Sequence, residues 1–268
     1  MAGTISRQLA GWAAAALLVL LTGCTGPSDL SSRTVIDLTY AFDDQTIYWP
    51  TETGFSLETR FQGVTDRGYY YTANRFAAPE HGGTHIDAPI HFYDGRRTVD
   101  EIPLEQLIGP GVVVDVTEPC AVDRDYLVTI EDIEAHERSH GPLPKNSIVL
   151  LRTGFGEYWP DRVRYMGTDQ RGEEAVAELH FPGLHPDAAA WLAGERAIGA
   201  VGIDTPSIDH GPSTDFESHV RLFERNIPAL ENVANLDRLP PRGFTIVALP
   251  VKIRGGSGGP VRIVAFLD

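Results

Sequence analysis

The chain is built from short apolar runs separated by polar, glycine-rich connections, and the runs follow two periods. Residues 34–42, TVIDLTYAF, alternate and carry β-branched side chains, which predicts a strand. Residues 68–81, GYYYTANRFAAPEH, predict a second strand rich in tyrosine. The run 109–116, GPGVVVDV, reads as a buried strand, 146–155, NSIVLLRTGF, as a central one, and 197–204, AIGAVGID, as the next. Residues 244–253 and 261–268 form a terminal strand pair around the loop RGGSGGP. Helical spacing separates these runs. Residues 129–141 carry Thr129 as cap and Gly141 as stop, 185–196 have Pro186 in the first turn, and 213–226 have a cap near Thr214 or Asp215. The aromatic stretch 47–55, around Pro50, reads as an edge or loop. Strands dominate with two or three helices interleaved, an α/β pattern of the mixed α+β kind. No repeat, low-complexity block or long linker interrupts residues 34–268, which are read as a single domain.

The pattern changes at the N-terminus. The apolar run Trp12–Leu21 follows Arg7 and is too short to span a bilayer, but it suits the apolar region of a signal peptide. It ends in Leu21-Thr22-Gly23-Cys24, which resembles the lipobox of bacterial lipoproteins, in which cleavage leaves the cysteine as the lipid-bearing first residue. Residues 1–23 are thus expected to be a lipoprotein signal peptide and 24–33 a tether. The protein is expected in the cell envelope, held to a membrane by a lipid on Cys24 at the periplasmic or extracellular face. Thr25 rather than an aspartate follows the cysteine, which resembles the pattern of outer-membrane sorting. Cys120, the one other cysteine, then has no intramolecular partner, and in TEPCAVD it reads as a bystander in a loop.

Composition narrows the function classes. The 268 residues carry 37 acids against 22 bases, a formal charge of −15, with no Lys/Arg cluster, which excludes a nucleic-acid binder. The stretch that carries chemistry is PEHGGTHIDAPIHF, residues 79–92. His81, His85, Asp87 and His91 are all odd-numbered, so an extended chain would place them on one face. A regular strand rises roughly 3.3 Å per residue and would hold His81 and His85 about 13 Å apart. A Zn–N bond is only about 2.1 Å. A shared ion therefore requires the backbone to curl, and Gly82 and Gly83 are the residues that permit it. Two imidazoles and a carboxylate leave positions open for water and substrate, the pattern of a catalytic metal site.

The segment HGGTHIDAPIHF resembles the H-x-G-T-H-x-D-x-P-x-H motif of the cyclase-like metal hydrolases, the family of bacterial kynurenine formamidase and isatin hydrolase. The similarity extends to DLTYAFDDQTIYWPTETGF, to FPGLHPDAAAWLAGERAIGAVGIDTPSID and to the C-terminal third. The resemblance implies a compact domain of the swivelling β/β/α type around a β-barrel-like sheet, and a homodimer. It implies metal ligation by His81, His85 and Asp87, with His91 as general acid/base. In formamidase-like members a second metal is held by a downstream histidine and a glutamate twelve residues later, positions matched here by His219 and Glu231. The isatin-hydrolase branch uses one ion, so the expectation is one or two divalent ions, Mn(II) or Zn(II). Trp49 matches a tryptophan placed beside the substrate, and Phe42 with Tyr48 and the tyrosines at 69–71 suggests a pocket for an aryl group.

The function that follows is hydrolysis of a C–N bond in a small aromatic or cyclic amide by metal-activated water, with His91 carrying the proton. Isatin-like and N-formyl-arylamine substrates fit. An arylformamidase acting on N-formylkynurenine is the alternative, and a solute-binding lipoprotein on a hydrolase fold is the reading from another class. His185 and His210 are weaker pocket candidates, Asp204 reads as a structural turn acid, and GGSGGP reads as a hairpin loop approaching the site with no phosphate role.

Overall fold

The computed structural model describes residues 32–268; the signal segment, Cys24 and nearly all of the tether lie outside the described residues. Among the described residues there are twelve strands: β1 Val35–Asp37, β2 Ser56–Val64, β3 Tyr70–Ala77, β4 His85–Asp87, β5 Ile108–Asp115, β6 Leu127–Val128, β7 Ile148–Arg152, β8 Gly183–Leu184, β9 Ala200–Ile203, β10 Ala229–Glu231, β11 Phe244–Pro250 and β12 Gly258–Leu267. Eight form one sheet in the order β1-β12-β11-β5-β7-β9-β10-β4, and β4 returns to pair with β12. Seven strands thereby close into a barrel-like ring. The closure depends on the length of β12. Its far end pairs with β1, Val264 opposite Asp37, and its near end pairs with β4, Gly258 opposite Asp87.

The middle of the ring, β5-β7-β9-β10, is parallel and buried on both sides, which is why these strands read as continuous apolar runs in the sequence. Alternate residues serve two cores. Val113, Ile148 and Leu150 face the barrel interior with Ile86, Leu230, Ile246 and Ile263. Val112, Val114, Val149 and Leu151 face outward, against Ala188, Ala189, Leu222 and Phe223 of the covering helices. The fold is therefore the mixed α/β domain around a barrel-like sheet that the sequence predicted.

Local signals account for most elements. The helix Ile130–His140 opens with a reciprocal cap, in which the Thr129 hydroxyl accepts from the Asp132 N–H and the Asp132 carboxylate accepts from the Thr129 N–H, and it ends at Gly141 with φ 89°. Asp204 is buried and accepts from the Thr153 N–H at 2.8 Å, the Thr153 hydroxyl at 2.6 Å and the Gly154 N–H at 3.0 Å, a turn-holding acid as expected.

Three local readings differ from the structure. The helix predicted over 213–226 spans Glu217–Phe223 and begins at Phe216 in a left-handed conformation, φ 50°, not at Thr214 or Asp215. Its first N–H groups are capped from outside: the Asp209 carboxylate accepts from Ser218 N at 3.0 Å and His219 N at 3.2 Å. The segment around Cys120 is a short helix, Thr117–Val122, and burial pushes the thiol pKa up, which suits an inert residue. The strand β2 went unpredicted because it has no buried face: it pairs only with β3, and the hairpin exposes Leu57, Phe61, Val64, Tyr70, Tyr71 and Phe76.

Candidate metal centre

The site is assembled where the ring closes. On β4, His85 lies opposite Glu231 of β10 and opposite Pro260 of β12, so three strands bring the first donors together by backbone pairing alone. His81 is returned to the same point by the turn at Gly82 and Gly83, whose φ values are 149° and 56°. A Cβ at Gly82 would sit 2.1 Å from the Tyr48 ring, and one at Gly83 2.7 Å from the Phe42 ring, so both positions also require the missing side chain. His219 arrives from the helix Glu217–Phe223, which packs against the turn carrying His91.

The five side chains converge. His81 Nδ1 is 2.7 Å from Asp87 Oδ1; His85 Nε2 is 3.1 Å from the same oxygen and 3.4 Å from Glu231 Oε2. His219 Nε2 is 3.1 Å from both Asp87 Oδ2 and Glu231 Oε1. Two three-donor groups result, His81/His85/Asp87 and Asp87/His219/Glu231, with donor atoms in each within 4.8 Å of one another. Tetrahedral donors about 2.1 Å from an ion are about 3.4 Å apart, so these spacings fit a cation. The decisive atom is His85 Nε2. It is buried and close to two carboxylates, yet makes no hydrogen bond. His85 Nδ1 is already held by the Gly83 carbonyl at 3.0 Å, which leaves Nε2 as the free ligand nitrogen.

Electrostatics agree. Burial works against charge on His85 and His219, but the surrounding carboxylates outweigh it and raise both pKa values. Burial likewise favours protonation of Asp87, yet His81, His219 and His85 hold its carboxyl well below the usual range. Glu231 is raised, by burial first and then by the charge of Asp87. Two carboxylates in a dry site therefore create a field that favours positive charge, and a divalent cation supplies it where protons otherwise would.

His91 sits on the short turn Pro89–His91, its ring stacked on that of His81 with centroids 3.8 Å apart. Burial, reinforced by the other histidines against the pull of Asp87, lowers its pKa to about 4. The ring is therefore neutral near pH 7 and able to accept a proton. Beside it opens a cavity of about 230 Å³, walled by Ile47, Tyr48, Trp49, Phe92 and Phe216, with Glu52 also on its lining.

Of the residues singled out in the sequence, His81, His85, Asp87, His91, His219, Glu231 and Trp49 all meet at this cavity. Phe42 does not line it; its ring lies behind the Gly83 turn and edge-on to Phe55, so its contribution is to the turn rather than to a ligand. His185 caps the helix Pro186–Trp191 by accepting from the Asp187 N–H, and His210 is also absent from the cavity lining. Sequence reasoning missed Asp209, whose Oδ2 holds His219 Nδ1 at 2.6 Å, and missed Phe92 and Phe216 as walls. The one available signal was an acid beside His210 in SIDHGPS, where the histidine drew the attention.

The profile of the cyclase family matches residues 36–210. The chain belongs to the cyclase family. It is 32% identical over 208 residues to the isatin hydrolase of Roseibium aggregatum, covering 75% of this chain and 76% of that one. It is 28% identical over 232 residues to the kynurenine formamidase of Bacillus cereus, covering 85% and 95%. Among solved structures, isatin hydrolase A from Ralstonia solanacearum superposes with a TM-score of 0.79 at 31% identity, covering 91% of this chain and 99% of that chain. Family, fold and donor set together make this cyclase-family member a metal-dependent amidohydrolase.

Removing the cation with a chelator should lower Tm, and returning Zn(II) or Mn(II) should restore it. At about 100 times Kd a bound ion adds about 2.7 kcal/mol, which for a domain of this size is a shift of roughly 5–10 °C. A Tm indifferent to metal would count against the centre.

Proposed function

We propose that the protein opens small, uncharged aromatic or cyclic amides of the isatin type, with His81, His85, Asp87, His219 and Glu231 as the metal-holding set. The observation that carries the substrate class is the cavity lining. Among the described residues no Lys or Arg lines it, three of its walls are the rings of Trp49, Phe92 and Phe216, and its one acidic side chain outside the metal cluster is Glu52. A neutral aryl amide leaves no charge unmatched there. N-formylkynurenine would bring an α-carboxylate for which the lining offers no Lys or Arg, so the arylformamidase reading stands second even though a kynurenine formamidase is among the relatives.

A bound divalent cation supplies Lewis acidity to a carbonyl oxygen and draws the pKa of water from about 15.7 towards 7. The chain's residues do the rest. His91, neutral because it is buried, takes the proton released as water adds its oxygen to the amide carbon, and gives it to the nitrogen as the C–N bond breaks. For a ring amide both fragments stay in one product, a carboxylate and an amine. Stacking on His81 holds the His91 imidazole in place, and the aromatic walls exclude bulk water around the reacting carbonyl. The mixed nitrogen and carboxylate donors suit Mn(II) or Zn(II). Asp87 turns one oxygen to His81 and His85 and the other to His219, so either three-donor group would suit a divalent ion, one or two per chain.

The same reading extends to assembly and location. The bare hairpin β2-β3, with Leu57, Phe61, Val64, Tyr70, Tyr71 and Phe76 exposed on it and too small to be stable by itself, supports a homodimer in which a second copy covers it. The run Trp12–Leu21 and the LTGC sequence support a mature protein anchored in the cell envelope through a lipid on Cys24.

His91→Ala should keep its metal while kcat falls by about 10²–10⁴-fold on isatin; near-normal turnover removes His91 from proton transfer. In a panel of isatin, N-formylkynurenine and cyclic imides with Mn(II) or Zn(II), isatin-type amides should be turned over best, and binding without product would favour a solute-binding role. Tyr70→Asp with Phe76→Asp should sediment as a monomer if the hairpin joins two copies, and an unchanged mass removes that interface. Cys24→Ser should abolish incorporation of labelled palmitate and release the protein from the membrane fraction; labelling that persists refutes the anchor.

A further inference from the structure

The loop before β12 touches the metal centre through a residue outside the donor set. Ser257 Oγ lies 2.9 Å from His81 Nε2 and 2.6 Å from Glu80 Oε2, and the Ser257 N–H donates to the same Glu80 oxygen at 3.0 Å. The loop can come this close because residue 258 is glycine: a Cβ there would sit 2.6 Å from His81 Cε1 and 2.5 Å from the Ile86 carbonyl oxygen. The chain thus runs Glu80, Ser257, His81, Asp87, each within hydrogen-bond distance of the next.

The direction of the hydrogen bonds decides the tautomer. Glu80 is a carboxylate and offers only acceptors, so the single hydroxyl hydrogen of Ser257 goes to it. Ser257 then has only a lone pair for His81, and Nε2 of His81 must carry the hydrogen that meets it. In the neutral ring Nδ1 is left as the bare nitrogen, 2.7 Å from an Asp87 oxygen. Two lone pairs at that distance repel unless a proton or a cation lies between them. The other two histidines are fixed the opposite way: His85 gives its Nδ1 hydrogen to the Gly83 carbonyl, and His219 gives its Nδ1 hydrogen to Asp209 at 2.6 Å, so each presents Nε2 to the centre.

We propose that Glu80 and Ser257 are positioning residues that fix His81 as its Nε2–H tautomer, so that a bound ion would meet His81 at Nδ1 and would meet His85 or His219 at Nε2. This rests on the metal-site reading above. The relay does for His81 what the Gly83 carbonyl does for His85 and what Asp209 does for His219, and it makes residues 80 and 257, 177 apart in sequence, one unit.

The test is long-range ¹H–¹⁵N correlation of the imidazoles in the full-chain, zinc-loaded protein. His81 should show a metal-bound Nδ1 and a protonated Nε2, with the reverse for His85 and His219. Ser257→Ala and Glu80→Ala should each weaken Zn(II) binding by about 10–100-fold in chelator competition, and the double variant should be no weaker than the worse single one. The metal-free Tm of each variant should match the wild type, separating positioning from loss of fold. Zinc taken up with His81 bound through Nε2, or single variants within about twofold of wild-type affinity, overturns this inference and leaves the metal centre standing. A wild-type protein that takes up no zinc overturns both.

Discussion

Asp87 and Glu231 are two carboxylates buried within reach of the same imidazoles, and that confinement is what the rest of the centre answers. In a dry interior such a pair is costly unless positive charge lies between its members. Among the described residues the fold gives no lysine or arginine to the cavity and instead gives histidines, of which His85 and His219 have their pKa values raised by the surrounding carboxylates. A cation resolves the conflict for both oxygens of Asp87 at once. It also allows the imidazoles to remain neutral, as ligation requires.

The barrel-like ring can be understood from the same point. Its closing strand, β4, is only three residues long, and two of the three are metal-site residues. Pairing on both sides, to β10 and to β12, fixes the backbone of His85 and Asp87 far more firmly than a loop could. The candidate donors His85, Asp87 and Glu231 sit on strands, while His219 on its helix and His81 on its turn are held by Asp209 and Ser257. The aromatic walls, by contrast, come from the loop around Trp49, the turn at Phe92 and the helix start at Phe216.

Family relatives named for two different amides share this arrangement of fold, and the cavity is where the difference between them must lie. Metal chemistry acts on any reachable amide carbonyl. Trp49, Phe92, Phe216 and Glu52 line the cavity, and no metal motif encodes them.

The parallel central strands were legible in the sequence because double burial demands unbroken apolar runs, and the helix at 130–140 because Thr129 and Gly141 cap it with their own side chain and backbone. His81, His85, Asp87 and His91 were legible because they fall within one short segment whose glycines permit a turn. Residues from distant segments were legible only where a family spacing pointed to them, as for His219 and Glu231. Asp209, Ser257 and Glu80 had no such signal. Each acts across the chain, Asp209 as a helix cap ten residues from His219, and Glu80 and Ser257 as a contact 177 residues long. The strand β2 escaped notice because it buries nothing, and Phe42 was placed at the cavity when its ring is used to shape the Gly83 turn. Local spacing thus determined which chemistry the chain carries. Only the closing of the sheet decided that Ser257 meets Glu80 and His81, because those hydrogen bonds exist nowhere until β4 meets β12.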